Sequence, residues 1–201
     1  LPWAIMAGLA IAVFHAADTV WRDRDLRVAE IIDASPVTDL ALMAAKLASM
    51  GVVLAIVAAA ACATIFGVQV WQTYVDGRPE VYSVLLAGPV LAPLFVLAAT
   101  SIAIAALSPN RYVGWGIMAG LLALTAVGEA KGFAHPLWDF MDTPSGSPSE
   151  MNLAGDGTGV FWWFTLYWTL GAGALLTLAW LAWPRGLPMG WRRRWIRSRQ
   201  R

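Results

Sequence analysis

The chain has 201 residues, of which 59% are hydrophobic and only 13% charged. A soluble domain carries about 25% charged residues, so the composition excludes an ordinary soluble fold and indicates a polytopic membrane protein. The formal net charge of +1 conceals a strongly uneven distribution along the chain, and the single cysteine, Cys62, excludes an intrachain disulfide and a thiol metal site.

Five stretches lack Asp, Glu, Lys and Arg: 1–17, 47–75, 81–110, 112–128 and 157–184. A helix needs roughly 20 apolar residues to cross the hydrocarbon. The expected fold is therefore all-α, one transmembrane helix bundle over 1–201 with about five spans. Its expected parts are a partial span at 1–17, a charged amphipathic helix at 18–35, spans at 37–70, 81–107 and 112–130, a polar loop at 131–159, a span at 160–184 and a basic tail at 185–201.

The first run opens Leu-Pro, without Met and without the basic start and cleavage site of a signal peptide. It reads as a span cut short in a fragment, with His15 as a boundary residue at its end. The segment WRDRDLRVAE follows. Asp18 and Arg22, and Asp23 and Arg27, are spaced i,i+4, and Arg27 and Glu30 i,i+3, pairings that support a helix. At about 100° per residue Trp21, Val28 and Ile32 share a narrow arc with Ile31 at its edge, opposite Asp23, Arg27 and Glu30. Ser35 is expected to cap the next helix and Pro36 to occupy its first position. Periodicity alone fits an ordinary loop helix whose arginines snorkel at the membrane surface.

The second span is Ala-rich, with Ala58 to Ala61 consecutive. Small side chains let helices approach closely in lipid, so this span is expected in the bundle interior, with Cys62 a small buried hydrophobe and Trp71 and Tyr74 at the membrane interface. Gly88, Pro89 and Pro93 predict a kink in the third span. Gly116 and Gly120 form a small-xxx-small pair in the fourth. In the loop, the run HPLWDFMD offers about two helical turns lying on the membrane through Leu137, Trp138, Phe140 and Met141. His135, Asp139 and Asp142 are too few for a persuasive metal site.

Orientation follows from Lys and Arg. If residues 18–46 are cytoplasmic, the inner segments hold twelve of these residues and the outer segments two, Arg78 and Lys131. This positive-inside bias places the C-terminal end in the cytoplasm and the loop at 131–159 outside. The six arginines after Pro188 suit either anionic lipid of the inner leaflet or the start of a further cytoplasmic helix.

The segment VWRDRDLRVAEIIDASPVTDLALMAAKLAS resembles the cytoplasmic segment of ABC-2 type transporter permeases. There, an acidic and basic helix ends in an E-x-x-x-A-[ST]-P-V turn before a span with an early Lys. The matching residues are Glu30, Ala34, Ser35, Pro36, Val37 and Lys46. NRYVGWGIMAG is similar to the family's N-[KR]-Y-x-G start of a later span. Ser149, Glu150, Met151 and Asn152 resemble the outer-loop motif Y-S-D-M-N-G-x-G-H of a subgroup often fused to a zinc aminopeptidase, although the Gly-x-Gly-His end is not kept.

The resemblance implies a permease component of an ABC exporter in the bacterial cytoplasmic (inner) membrane. It implies a coupling helix docking on a separate ATPase through Trp21, Arg22, Arg24, Arg27, Val28, Glu30, Ile31 and Ile32, with Ser35 and Pro36 as the joint. It also implies a second permease half. No nucleotide-binding G-x-x-x-x-G-K-[ST] loop and no H-E-x-x-H or Cys-x-x-Cys motif occurs in the chain. ATP and Mg are therefore expected on the partner, with no cofactor, metal, catalytic residue or nucleic-acid partner expected for this chain beyond the lipid bilayer around it. The alternative is a membrane anchor or scaffold that holds an extracytoplasmic peptidase and moves no substrate.

Overall fold

The computed structural model describes residues 2–71, 91–132, 137, 139–141 and 158–183. Among these, no strand occurs. The helices are α1 (Pro2–Asp25), α2 (Ala29–Ala34), α3 (Asp39–Trp71), α4 (Ala92–Leu107), α5 (Arg111–Ala130) and α6 (Thr158–Leu181). Three segments, Asp39–Trp71, Arg111–Gly128 and Gly159–Leu181, are long and apolar enough to cross a membrane. α4 is apolar but shorter over its described residues. The protein is a helical membrane protein.

α4 occupies the centre. Its buried residues include Leu94, Val96, Leu97, Ala98, Ala99, Thr100, Ile102, Ala103, Ala105 and Ala106, which lie on most sides of the helix. Lipid tails supply no hydrophobic drive between helices, so close packing of small residues has to hold them together. α1 meets α4 along Gly8, Ala12 and Ala16, one residue per turn. All three are buried, and a Cβ on Gly8 would lie 3.1 Å from Leu94 Cδ1. On another side of α4, Ala172 of α6 packs with Val96 and Ala99, and Ala179 with Ala103 and Ala106.

The Ala-rich second span is not the interior helix that its composition suggests. The buried residues of α3 are Asp39, Met43, Met50, Leu54 and Ala58, a single stripe that ends partway along the helix. Ala59 and Ala60 are exposed, as is Trp71 at the end. The reason lies in where the alanines fall. Those of α4 let both α1 and α6 approach closely, whereas α3 offers one narrow stripe and turns Val52, Ile56 and Phe66 outward. With 33 residues at 1.5 Å each, α3 is about 50 Å long and exceeds the ~30 Å hydrocarbon. Cys62 is half-buried on this helix.

The pair Gly116 and Gly120 is exposed, and a Cβ on either would meet nothing within 4 Å. The glycine of α5 that makes a close approach is Gly114, where a Cβ would lie 3.3 Å from Ala105 Cα of α4. Pro93 sits in the first turn of α4 as described, where proline removes no needed donor. Gly88 and Pro89 lie outside the described residues.

The segment around 137–141 does not form the surface helix anticipated for it. Leu137, Asp139, Phe140 and Met141 are in turns and bends. Phe140 meets Trp168 edge to face at 5.4 Å, and Met141 packs on the core. His135, Trp138 and Asp142 lie outside the described residues.

Candidate functional site

The functional candidate is the charged segment after Ala17, and its first feature is that it does not form one helix. α1 runs on without a break from its apolar part through Trp21 to Asp25. It then ends in a Schellman turn: Arg27 N–H donates to Arg24 O at 3.0 Å, Val28 N–H donates to Asp23 O at 3.0 Å, and Arg27 takes the left-handed φ of 58°. α2 follows as six residues. It stops at Ala34 because Pro36 forces the preceding Ser35 out of the helical region, to φ −74° and ψ 152°.

Ser35 therefore does not cap the second span. Its Oγ donates back to Ile32 O at the end of α2, and Pro36 lies in the linker. Thr38 caps α3 instead, its Oγ1 accepting from Ala41 N–H at 3.3 Å. The left-handed Arg27 also breaks the spacing that pairs it with Asp23 and Glu30.

The last turns of α1 are tied to three other helices. Lys46 of α3 donates to Asp23 Oδ2 and to Thr19 O, each at 2.6 Å, with its side chain only 12% exposed. Trp21 Nε1 donates to Ala105 O of α4 at 3.0 Å. Arg111 of α5 lies 2.9 Å from Asp25 Oδ2 and 3.7 Å from Asp18 Oδ1. Val20 and Trp183 both pack against the cluster of Ala103, Ala106 and Ala179, which brings the end of α6 to the same level. A small cavity between α1, α2 and α3 is lined in part by Trp21, Asp23, Arg24, Ile32, Asp33 and Lys46.

These ties revise the expected wet and dry faces. Asp23, assigned to the wet face, turns inward to Lys46, while Ile31, assigned to the edge of the apolar arc, is 73% exposed. Trp21, Val28 and Ile32 are half-buried, as their arc requires. Arg24 stacks its guanidinium 4.8 Å from the Trp21 ring. Arg22, Arg27, Glu30, Ile31 and Pro36 face outward, together with the apolar Leu26, Val37 and Leu40. The predicted surface is thus split into residues that bind the bundle and residues that are exposed.

The N-R-Y-x-G sequence at the start of α5 also has a structural account. Asn110 Oδ1 accepts from Val113 N–H at 2.8 Å and caps the helix. Arg111 reaches α1, Tyr112 meets Trp115 edge to face at 5.5 Å, and Gly114 admits α4. Arg111 as a partner of α1 escapes a reading by periodicity. The signal for it is chemical: Arg111 is a cation at the first residue of a helix and Asp25 a carboxylate at the last residue of another, and each is a placement that the helix dipole disfavours and an opposite charge compensates.

Glu150, Met151 and Asn152 lie outside the described residues. Among the described residues, no group of three His, Cys, Asp or Glu could hold a metal ion. No family model matches the chain, and no curated protein or solved structure matches it.

Proposed function

We propose that the chain is the transmembrane permease component of an ABC-2 type transporter, in which a separate ATPase moves the bundle through the segment between α1 and α3. In this reading the protein has five spans in the bacterial cytoplasmic membrane, with the Lys46 end and the C-terminal end inside. It works with a second permease half and exports a substrate held by apolar, aromatic and hydroxyl groups.

The observation that carries the reading is the division of labour in residues 18–37. Lys46, Trp21 and Arg111 join the end of α1 to α3, α4 and α5, while Arg22, Leu26, Arg27, Glu30 and Ile31 are exposed on the same segment. A load applied to the exposed side would pass along a continuous α1 and into three neighbours at once. A membrane anchor for an enzyme has no need of that arrangement. The exposed mixture of arginine and apolar side chains is the composition that protein interfaces favour.

The test is co-purification with an ABC ATPase of the same genome, sought first in the frames adjacent to this one; the absence of any such frame there would favour the scaffold. Ile31→Asp combined with Arg22→Glu removes an exposed apolar contact and reverses a charge without touching the three ties. Binding is expected to weaken about 10-fold or more, the size of an interface hot spot. The conservative Ile31→Leu should bind normally. Unchanged binding and ATP turnover in the double variant would overturn the coupling role of this segment, and a wild-type chain that binds no ATPase would favour the scaffold.

A further inference from the structure

The ion pairs that Lys46 and Arg111 make with the end of α1 are not equivalent. The Lys46–Asp23 pair is the enclosed one: Lys46 is 12% exposed and Asp23 34%, and the ammonium also donates to the Thr19 carbonyl. Salt screens such a pair weakly. The Arg111 arm is open, with Arg111 at 34%, Asp25 at 50% and Asp18 at 47% exposed.

Both charges of the open pair also sit at the wrong ends of their helices. Asp25 is the last residue of α1, where free carbonyls repel a carboxylate, and Arg111 is the first residue of α5, where free amides repel a cation. Each placement is unfavourable on its own helix and is compensated only when the two ends meet. Charges so arranged favour one particular juxtaposition of α1 and α5 and add a cost to the separated forms, so what makes this arm the releasable one is its exposure to water and salt.

We propose that Arg111 with Asp25 and Asp18 is a releasable latch between α1 and α5, and that Lys46 with Asp23 is the fixed joint that keeps α1 and α3 together when the latch opens. Arg111 is the positioning residue of this device. Its guanidinium lies 5.1 Å from the Tyr112 ring and 6.0 Å from that of Trp115, so a resting place on its own helix is available once it leaves Asp25. Release would part the Lys46 end of the bundle between α1 and α5 while α1 and α3 move as one. The inference rests on the permease reading only in assigning that motion to transport.

Distance measurement by pulsed electron spin resonance tests it on the full chain in lipid, without the ATPase. In a Cys62→Ala background, labels at Leu26→Cys and Val113→Cys report α1 against α5, and labels at Arg22→Cys and Ala45→Cys report α1 against α3. Raising salt from 0.05 to 0.5 M is expected to lower the short-distance population of the first pair about 3-fold, as for a half-exposed ion pair, and to leave the second pair unchanged. Asp18→Asn with Asp25→Asn should reproduce the shift at low salt, and Asp25→Arg with Arg111→Asp should reverse it. A first pair insensitive to salt and to neutralisation, an equal response in both pairs, or a charge swap without rescue would overturn the latch. Since no ATPase is present, failure of the chain to bind one would leave this result standing, and failure of the latch would leave ATPase binding untouched.

Discussion

Arg27 illustrates how a single backbone angle decides the shape of the charged segment. Its φ of 58° closes the Schellman turn that ends α1, a conformation that glycine adopts freely and a residue with a Cβ adopts at a cost of about 1 kcal/mol. Arg27→Gly should therefore raise the stability of the purified protein by about 0.5–1 kcal/mol, whereas Arg27→Ala, which removes the same charge but keeps the Cβ, should not. Thermal unfolding in one detergent separates the two, and equal melting temperatures would show that the turn carries no strain. Composition and spacing point to the wrong residue here. The helical pattern runs through Arg27 because its charges suit a helix, and the chain turns at Arg27 although nothing in its side chain favours the left-handed region. Pro36, by contrast, acts through fixed covalent geometry on Ser35, and the end of the charged segment is correspondingly legible to within a few residues.

At the scale of elements, small residues matter by where they lie and not by how many there are. A Cβ on Gly114 would stand 3.3 Å from the Ala105 backbone, while at Gly116 and Gly120 it would meet nothing within 4 Å. Gly114→Leu should thus force α4 and α5 apart and cost about 1–3 kcal/mol by overpacking. Gly116→Leu and Gly120→Leu should each change stability by no more than about 0.5 kcal/mol, the usual range for substitutions away from packed contacts. Unfolding by a denaturing detergent measures all three, and a large loss at Gly116 or Gly120 would mean that this face of α5 is covered by another helix. The expected helix positions were legible because long charge-free runs have few other outcomes in a membrane chain. Which helix is central was not, since Ala58 to Ala61 of α3 and Ala98 to Ala106 of α4 look alike in composition and differ only in how many sides their neighbours approach.

For the whole molecule, the contacts at one end of the bundle bring together residues that positive-inside counting assigns to one side of the membrane. Trp21 reaches Ala105, Lys46 reaches Asp23, Arg111 reaches Asp25, and Trp183 and Val20 pack against the same cluster of Ala103, Ala106 and Ala179. These links join the last turns of α1, α4 and α6 to the N-terminal turns of α3 and α5, so that successive long helices run in opposite directions. The cation excess and the cross-helix links are separate properties: the first concerns residues along the sequence, the second their meeting in space. A charged end of this kind belongs on one face of the bilayer, because each arginine moved into the hydrocarbon centre costs about 2.5–3.5 kcal/mol on insertion scales. Single cysteines in a Cys62→Ala background test the orientation. A membrane-impermeant maleimide added to intact cells should label Lys131→Cys, which is exposed beyond the last helical residue of α5, and should spare Arg22→Cys. After permeabilisation both should react. Labelling of Arg22→Cys in intact cells would put the charged segment outside, where no cytoplasmic ATPase could reach it, and the orientation and the coupling role would fall together.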